Sequence, residues 1–332
     1  MKRWSILALS VLLILSLAGC GQSSELRLGT GGVGGTYYAF GNALSQQLGE
    51  ESEPVPLTVK TTSGSAANLR LLREGFLQLA IVQSDTLADA VNGTGAFEQA
   101  GSYGGYAAVA GLYAEACQIV VPAASDIQTV QDLAGRRVSV GEQESGVLKN
   151  AEEILLSHGI SLQMIEPSYL SFADSADALE RGEIDAFFCT AGAPTTAITE
   201  LAGHMDVRLL SISPEAQSNL LSLGTGYTAC TVPANTYPGQ TEDVTTVGIK
   251  AVLVADSSVK EEQIAAITRY LLENGEKLDH SVNVTLPAEP EYAVTDIPCS
   301  FHAGSAACYA EQGINVEVAS GGNNKPISAA QD

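Results

Sequence analysis

Apolar residues fall in short runs along this chain, and glycine or small polar residues break each run. The first unit reads Leu26-Arg27-Leu28, a glycine-rich turn over Gly29–Gly35, then Tyr38, Leu44 and Leu48 at helical spacing. Pro56–Thr61 predicts a second strand, followed by a helix carrying Leu69 and Leu72. Gly75 closes that helix, as glycine commonly does past a helix terminus. Leu77–Val82 predicts a third strand, running through Gln83-Ser84-Asp85 into a helix over Thr86–Val91. Strand, loop and helix repeated in this order specify a parallel α/β sheet. Ligands of such sheets sit beyond the carboxyl ends of the strands.

The pattern then changes and restarts. Tyr106–Leu112 and Cys117–Pro122 are apolar runs, and Tyr113-Ala114-Glu115-Ala116 between them reads as a passage to a second lobe. Arg137–Val140 predicts a strand, Gly141–Gly146 a loop, and the residues through Leu155 to His158 a helix. Asp174–Arg181 is a further helix ended by Gly182, and Ile184–Phe188 a strand leading into Cys189–Thr195. The joint from Leu72 to Val82 parallels the joint from Leu179 to Phe188: charged residue, glycine, buried strand, polar loop. Two similar lobes account for the parallel, and so does chance likeness of helix-to-strand joints. Val247–Ala255 predicts a strong strand, Val259–Glu273 a helix, and the residues from Gly321 a loose polar tail.

The N-terminus carries Lys2 and Arg3, an apolar run from Ile6 to Leu17, and Leu17-Ala18-Gly19-Cys20. This is the layout of a secretory signal, and its apolar run is shorter than the roughly 20 residues a bilayer requires. The ending resembles the lipobox of bacterial lipoproteins, which implies cleavage after residue 19, lipid attachment at Cys20 and a tether over 20–24. The mature chain is then extracytoplasmic and held at the bacterial cell membrane, in the periplasm or on the outer face. The formal charge of -22 repels phosphate backbones, so nucleic-acid partners are not expected. Export permits disulfides. Of Cys117, Cys189, Cys230, Cys299 and Cys308, the close pair Cys299 and Cys308 is the first to test. No cysteine or histidine spacing suggests a metal, and no cofactor is expected.

Candidate chemistry gathers in the loops at the strand ends. Glycine lets backbone N–H groups approach a ligand, and a helix start aims unpaired N–H groups at the same place. Gly29-x-Gly31-x-x-Gly34 also fits the dinucleotide fingerprint, but the second strand ends without the acid that would hold a ribose. Ser63, Ser65 and Asn68 either bind a ligand or cap the following helix, and the two roles are compatible. Asp85 invites the same two readings. Of Tyr37 and Tyr38, one faces the core and one the pocket. His158, His204, His280 and His302 are scattered, and no nucleophile elbow, Walker sequence or zinc-protease pair occurs, which disfavours an enzyme.

Several segments together resemble the TAXI family, the extracytoplasmic solute receptors of TRAP-type transporters. They are Gly29–Tyr38, Thr62–Ser65 with Asn68, Ile81–Asp85, Asp132–Val138, Gly182–Phe188, Ala191–Thr195, Thr236–Gln240 and His302–Gly304. The resemblance spans about Leu26 to Ile314. It implies a type II periplasmic-binding-protein fold, with two α/β lobes around a central ligand cleft. Lobe one would comprise 25–116 plus 256–320, lobe two 117–255, and 321–332 a flexible tail. The implied ligands are small carboxylates such as glutamate or 2-oxoglutarate, and the implied partner is a TRAP-type membrane permease, with the receptor itself a monomer. The implied binding residues are Thr30, Thr36, Tyr37, Ser63, Ser65, Asn68, Gln83 and Asp85 from lobe one, with Ser145, Thr190, Ala191 and Gly192 from lobe two. Glu142 and Glu144 depart from the family's small residues at the second glycine loop; if either faces the pocket, a dianion is disfavoured and an amino acid or a less acidic solute favoured. A ligand sensor for a membrane kinase shares the same layout, and a secreted enzyme is the remaining alternative.

Overall fold

Each apolar run at the start of the chain forms a parallel strand backed by a helix, in a computed structural model that describes residues 25–282 and 284–319. The predicted signal, Cys20, the tether and the tail from Gly321 lie outside those residues. β1 (Leu26–Gly29), α1 (Thr36–Gly49), β2 (Leu57–Lys60), α2 (Ser65–Arg73), β3 (Leu79–Gln83) and α3 (Ser84–Asn92) follow in order. β1 pairs in parallel with β2 on one side and β3 on the other. α1 buries Tyr37, Phe40, Leu44 and Leu48, a set at helical spacing that covers the sheet. Close packing requires Gly41, where a Cβ would come within 2.8 Å of Thr30 Cγ2.

β4 (Tyr106–Pro122) follows as one strand of 17 residues. Tyr113–Ala116 do carry the chain toward the second lobe, but as continuous strand rather than a loop, with Tyr113, Glu115 and Ala116 buried within it. The second lobe contains β5 (Arg137–Ser139), α4 (Gly146–Ser157), β6 (Glu166–Ser168), α5 (Phe172–Glu180), β7 (Ala186–Ala191), α6 (Thr196–His204), β8 (Val207–Leu209), α7 (Pro214–Ser222) and β9 (Thr228–Val232). β10 (Val244–Asp256) then runs back antiparallel to β4. One half of β10 pairs with β9 and the other with β3, while β4 pairs with β7 beyond its contact with β10. These two long strands therefore belong to both lobes and join them, and the sheet order is β2-β1-β3-β10-β4-β7-β5-β6.

Separate apolar cores sit on the two sides of this junction. Leu28, Phe40, Ile81, Leu253 and Ile264 share one core, whereas Ile119, Val138, Ile154, Phe188 and Ile249 share another. α8 (Glu261–Glu273), α9 (Gly275–Val282) and α10 (Ala303–Glu311) return the chain to the first lobe. His302 caps α10 by accepting the Gly304 N–H at 3.2 Å. Cys299 and Cys308 do not pair. Cys308 faces α8, its Sγ 3.4 Å from the Ala265 carbonyl, while Cys299 packs with the core that holds Tyr106; both thiols are free. Among the described residues no helix is long and apolar enough to cross a membrane. The architecture is the type II periplasmic-binding-protein fold, two α/β lobes around a cleft.

Candidate ligand-binding cleft

Between the lobes lies a cavity of about 50 Å³, several times the space one ordered water needs. Lobe one contributes Gly31, Gly32, Gly35, Thr36 and Tyr37 at the start of α1, Ser63–Ser65 at the start of α2, and Gln83 at the end of β3. Lobe two contributes Glu142, Ser145–Val147, Leu170–Phe172, Thr190 and Ala191. Glu115, on β4 where the lobes join, completes the lining. Eight of the twelve sequence candidates line the cavity: Thr36, Tyr37, Ser63, Ser65, Gln83, Ser145, Thr190 and Ala191.

The other four stand outside the lining, each engaged elsewhere. Thr30 is fully buried, its hydroxyl donating to the Lys60 carbonyl at 3.1 Å. Asn68 donates to the carbonyls of Thr30 at 2.7 Å and Ile81 at 2.9 Å, and accepts from the Thr62 hydroxyl at 2.7 Å. It thereby ties the end of β1 to β3. Asp85 turns toward α4, accepting from Asn150 Nδ2 at 3.0 Å with Lys149 Nζ at 3.7 Å. Gly192 offers its carbonyl to Thr36 Oγ1 at 3.2 Å, and a Cβ there would come within 2.4 Å of Val284. It is a contact between lobes.

Three helix starts meet at the cleft, and they differ in what satisfies them. α4 is capped by Ser145, whose Oγ accepts the Leu148 N–H at 3.1 Å. α2 has no side-chain cap: the Glu144 carbonyl of lobe two accepts the N–H groups of Ala66 and Ala67, both at 3.1 Å. The serines therefore do not cap α2, and Ser65 Oγ accepts the Gln83 N–H at 3.0 Å instead. α1 begins at Gly35, again without a side-chain cap, and no described residue accepts the N–H groups of Thr36 and Tyr37. These unpaired donors, at the positive end of a helix of 14 residues, border the cavity.

The lining includes two carboxyls and no Arg, Lys or His. Glu115 is 1 % exposed, and its Oε2 accepts the Tyr37 hydroxyl at 2.7 Å. Burial pushes its carboxyl up to about 8, with the Tyr37 hydrogen bond opposing and Asp85 adding to the rise. Glu142 is half-buried and is also raised by burial, with Asp174 adding. Glu144 points away from the cavity, holding Arg70 through bonds of 3.0 and 2.9 Å. Tyr37, not Tyr38, faces the cleft. Sequence reasoning passed over Glu115, Gly146 and Leu170–Phe172. The signal for Glu115 was its place as the one charged residue in the apolar stretch from Tyr106 to Pro122.

The cleft and its two lobes match a known family along nearly their whole length. The profile of the NMT1-like family aligns with residues 28–313. The chain belongs to the NMT1-like family. Solved structures agree with this NMT1-like chain in fold. One, from Bordetella bronchiseptica RB50, superposes with a TM-score of 0.52 at 15 % identity, covering 89 % of this chain and 83 % of the other. A periplasmic transporter gives 0.52 at 12 % identity, with coverages of 82 % and 92 %. PhnD1 from Prochlorococcus marinus, in complex with methylphosphonate, gives 0.50 at 12 % identity, with coverages of 79 % and 91 %. At such identities the likeness concerns fold.

Proposed function

We propose that this NMT1-like protein is an extracytoplasmic solute receptor of the TAXI class. It captures a small carboxylate, a glutamate-like amino acid or a 2-oxo acid, between its lobes and delivers it to a TRAP-type membrane permease. The observation that carries this reading is the cavity onto which the uncapped start of α1 opens, with residues of both lobes around it. A ligand carboxylate there accepts the N–H groups of Thr36 and Tyr37, and the hydroxyls of Thr36, Ser63, Ser65, Ser145 and Thr190 lie around it. Gln83 and the Ala191 backbone complete the contact. Thr30, Asn68, Asp85 and Gly192 support these groups from behind.

No chemistry is needed. The lining hydroxyls that meet a carboxylate are Tyr37, on buried Glu115, and Ser171, which caps α5 and bonds Asp174; in this reading the protein acts by binding and releasing its solute. In this reading lobe one is 25–116 with 256–320, lobe two is 117–255, and a lipid on Cys20 keeps the receptor near its permease. The comparisons support a solute-binding fold, and the lipobox-like ending supports export. A thermal-shift screen of amino acids, 2-oxo acids and dicarboxylates tests the proposal. A ligand at a hundred times its dissociation constant adds about 2.7 kcal/mol of stability, and Ser65→Ala reduces the shift. Consumption of the solute during the assay, or no shift from any carboxylate, refutes it.

A further inference from the structure

We infer that Glu115 receives a protonated amine, so that the solute carries an ammonium group beside its carboxylate. The inference rests on the receptor reading above and narrows its substrate class. Glu115 lies on β4, at the floor of the cleft where the two lobes join. Tyr37 donates to its Oε2, which fixes the carboxyl in the cavity wall. Gln83, 2 % exposed and part of the same lining, has an amide oxygen that is buried without a partner. With Glu115 ionised, its carboxylate and the Gln83 amide oxygen are two acceptors bordering one small cavity that has no cationic side chain.

Buried acceptors normally find a donor, and leaving one without costs about 1–3 kcal/mol. A dicarboxylate or a 2-oxo acid offers none. An ammonium group offers three N–H donors and a positive charge, which suits one carboxylate oxygen and one amide oxygen. The uncapped start of α1 remains for the solute's carboxylate. The two ends of an amino acid are then received by different elements, its amine by β4 and β3, its acid by α1.

The surroundings of Glu115 leave the charge to be supplied from outside. Tyr37 faces it from α1, Tyr113 and Cys117 from its own strand, Asp85 from α3, Cys189 from β7, and Tyr292 from the segment before α10. These are phenols, thiols and another acid. Burial therefore holds the empty site's carboxyl up at about 8, protonated at neutral pH. When the ammonium arrives, the carboxyl gives its proton to solvent and an ion pair forms, so one proton leaves for each solute bound. Affinity then rises with pH, by about tenfold per unit below pH 8, as long as the amine stays charged.

Calorimetry of the full chain in two buffers of different ionisation enthalpy tests this with L-glutamate, 2-oxoglutarate and putrescine. The expected result is L-glutamate binding with release of about one proton at pH 7, and weaker binding of 2-oxoglutarate. Glu115→Gln then costs about tenfold or more in affinity for L-glutamate and abolishes the proton release. Tyr37→Phe removes the bond that lowers the Glu115 carboxyl, so it moves the pH profile upward, a readout independent of whether Glu115→Gln folds. Equal or tighter binding of 2-oxoglutarate, or unchanged proton release in Glu115→Gln, overturns the inference and leaves the carboxylate receptor standing. Putrescine binding alone supports the amine and overturns the carboxylate. No binding by any of the three overturns both.

Discussion

Gly146 opens α4 opposite the amide of Gln83, and a methyl group on it would lie 1.9 Å from Gln83 Oε1. Within a helix alanine is favoured over glycine by about 0.5–1 kcal/mol. Gly146→Ala is therefore expected to leave thermal stability unchanged or raised, while ligand affinity falls because Gln83 or the closing lobe must move. Melting curves and calorimetry on the same sample separate the two effects. Asn68 behaves in the opposite way. Asn68→Ala takes a donor from the carbonyls of Ile81 and Thr30, of which Thr30 keeps the Thr62 hydroxyl, a loss of about 1–3 kcal/mol in stability, measured by chemical denaturation. Sequence could name Asn68 as a polar neighbour of a cleft. It could not tell a ligand contact from a tie between strands, because that depends on where Thr30 and Ile81 present their carbonyls.

Buried acids add a pH dependence at the same scale. Glu115 is raised to about 8 and Asp85 to about 6, both by burial. The unfolded chain loses these protons near the ordinary carboxylate range, while the folded chain keeps them. Stability of the ligand-free protein therefore declines as pH rises from about 5 to 8, and Glu115→Gln flattens the upper part of that decline. Melting temperature against pH measures it.

Among the elements, α2 is unusual because its N–H groups are capped from the opposite lobe by the Glu144 carbonyl. Glu144 adopts a left-handed φ of 61°, which turns its carbonyl toward α2 and its carboxylate toward Arg70. Glycine accepts this conformation without strain. Glu144→Gly keeps the carbonyl and loses only an exposed ion pair, so its cost is expected to stay below about 1 kcal/mol, read from denaturation curves. The strand–loop–helix order was legible because glycine punctuates it, at Gly75 in the first lobe and Gly182 in the second, and the strands are apolar. β4 was not. Its buried Glu115 and the small Ala114 and Ala116 looked like a loop between lobes, and the chain does cross there, but as continuous strand paired with β10 and, from Ala116 on, with β7. β9, α7 and α10 carry weak periodicity, and tertiary packing determines them. The proposed pairing of Cys299 with Cys308 rested on spacing alone, and spacing says nothing of which way a helix turns its thiol.

For the whole molecule, two lobes joined by β4 and β10 need an energy source to stay closed. Direct contacts between them include Arg70 with Glu144, whose side chains are 37 % and 48 % exposed, a pair that contributes little. Lys149 with Asp89, 2.5 Å apart, and Asn150 with Asp85 are better sheltered. A ligand shifts such an equilibrium only by binding the closed form more tightly, and a cavity lined from both lobes has that property. The central claim is therefore closure on a small solute without chemistry. Small-angle X-ray scattering of the full chain, with and without the solute found by the binding screen, tests it most directly. The account predicts a smaller radius of gyration with solute, and recovery of that solute unchanged. Saturating solute that leaves the scattering curve unaltered, or a solute converted to product, would contradict it.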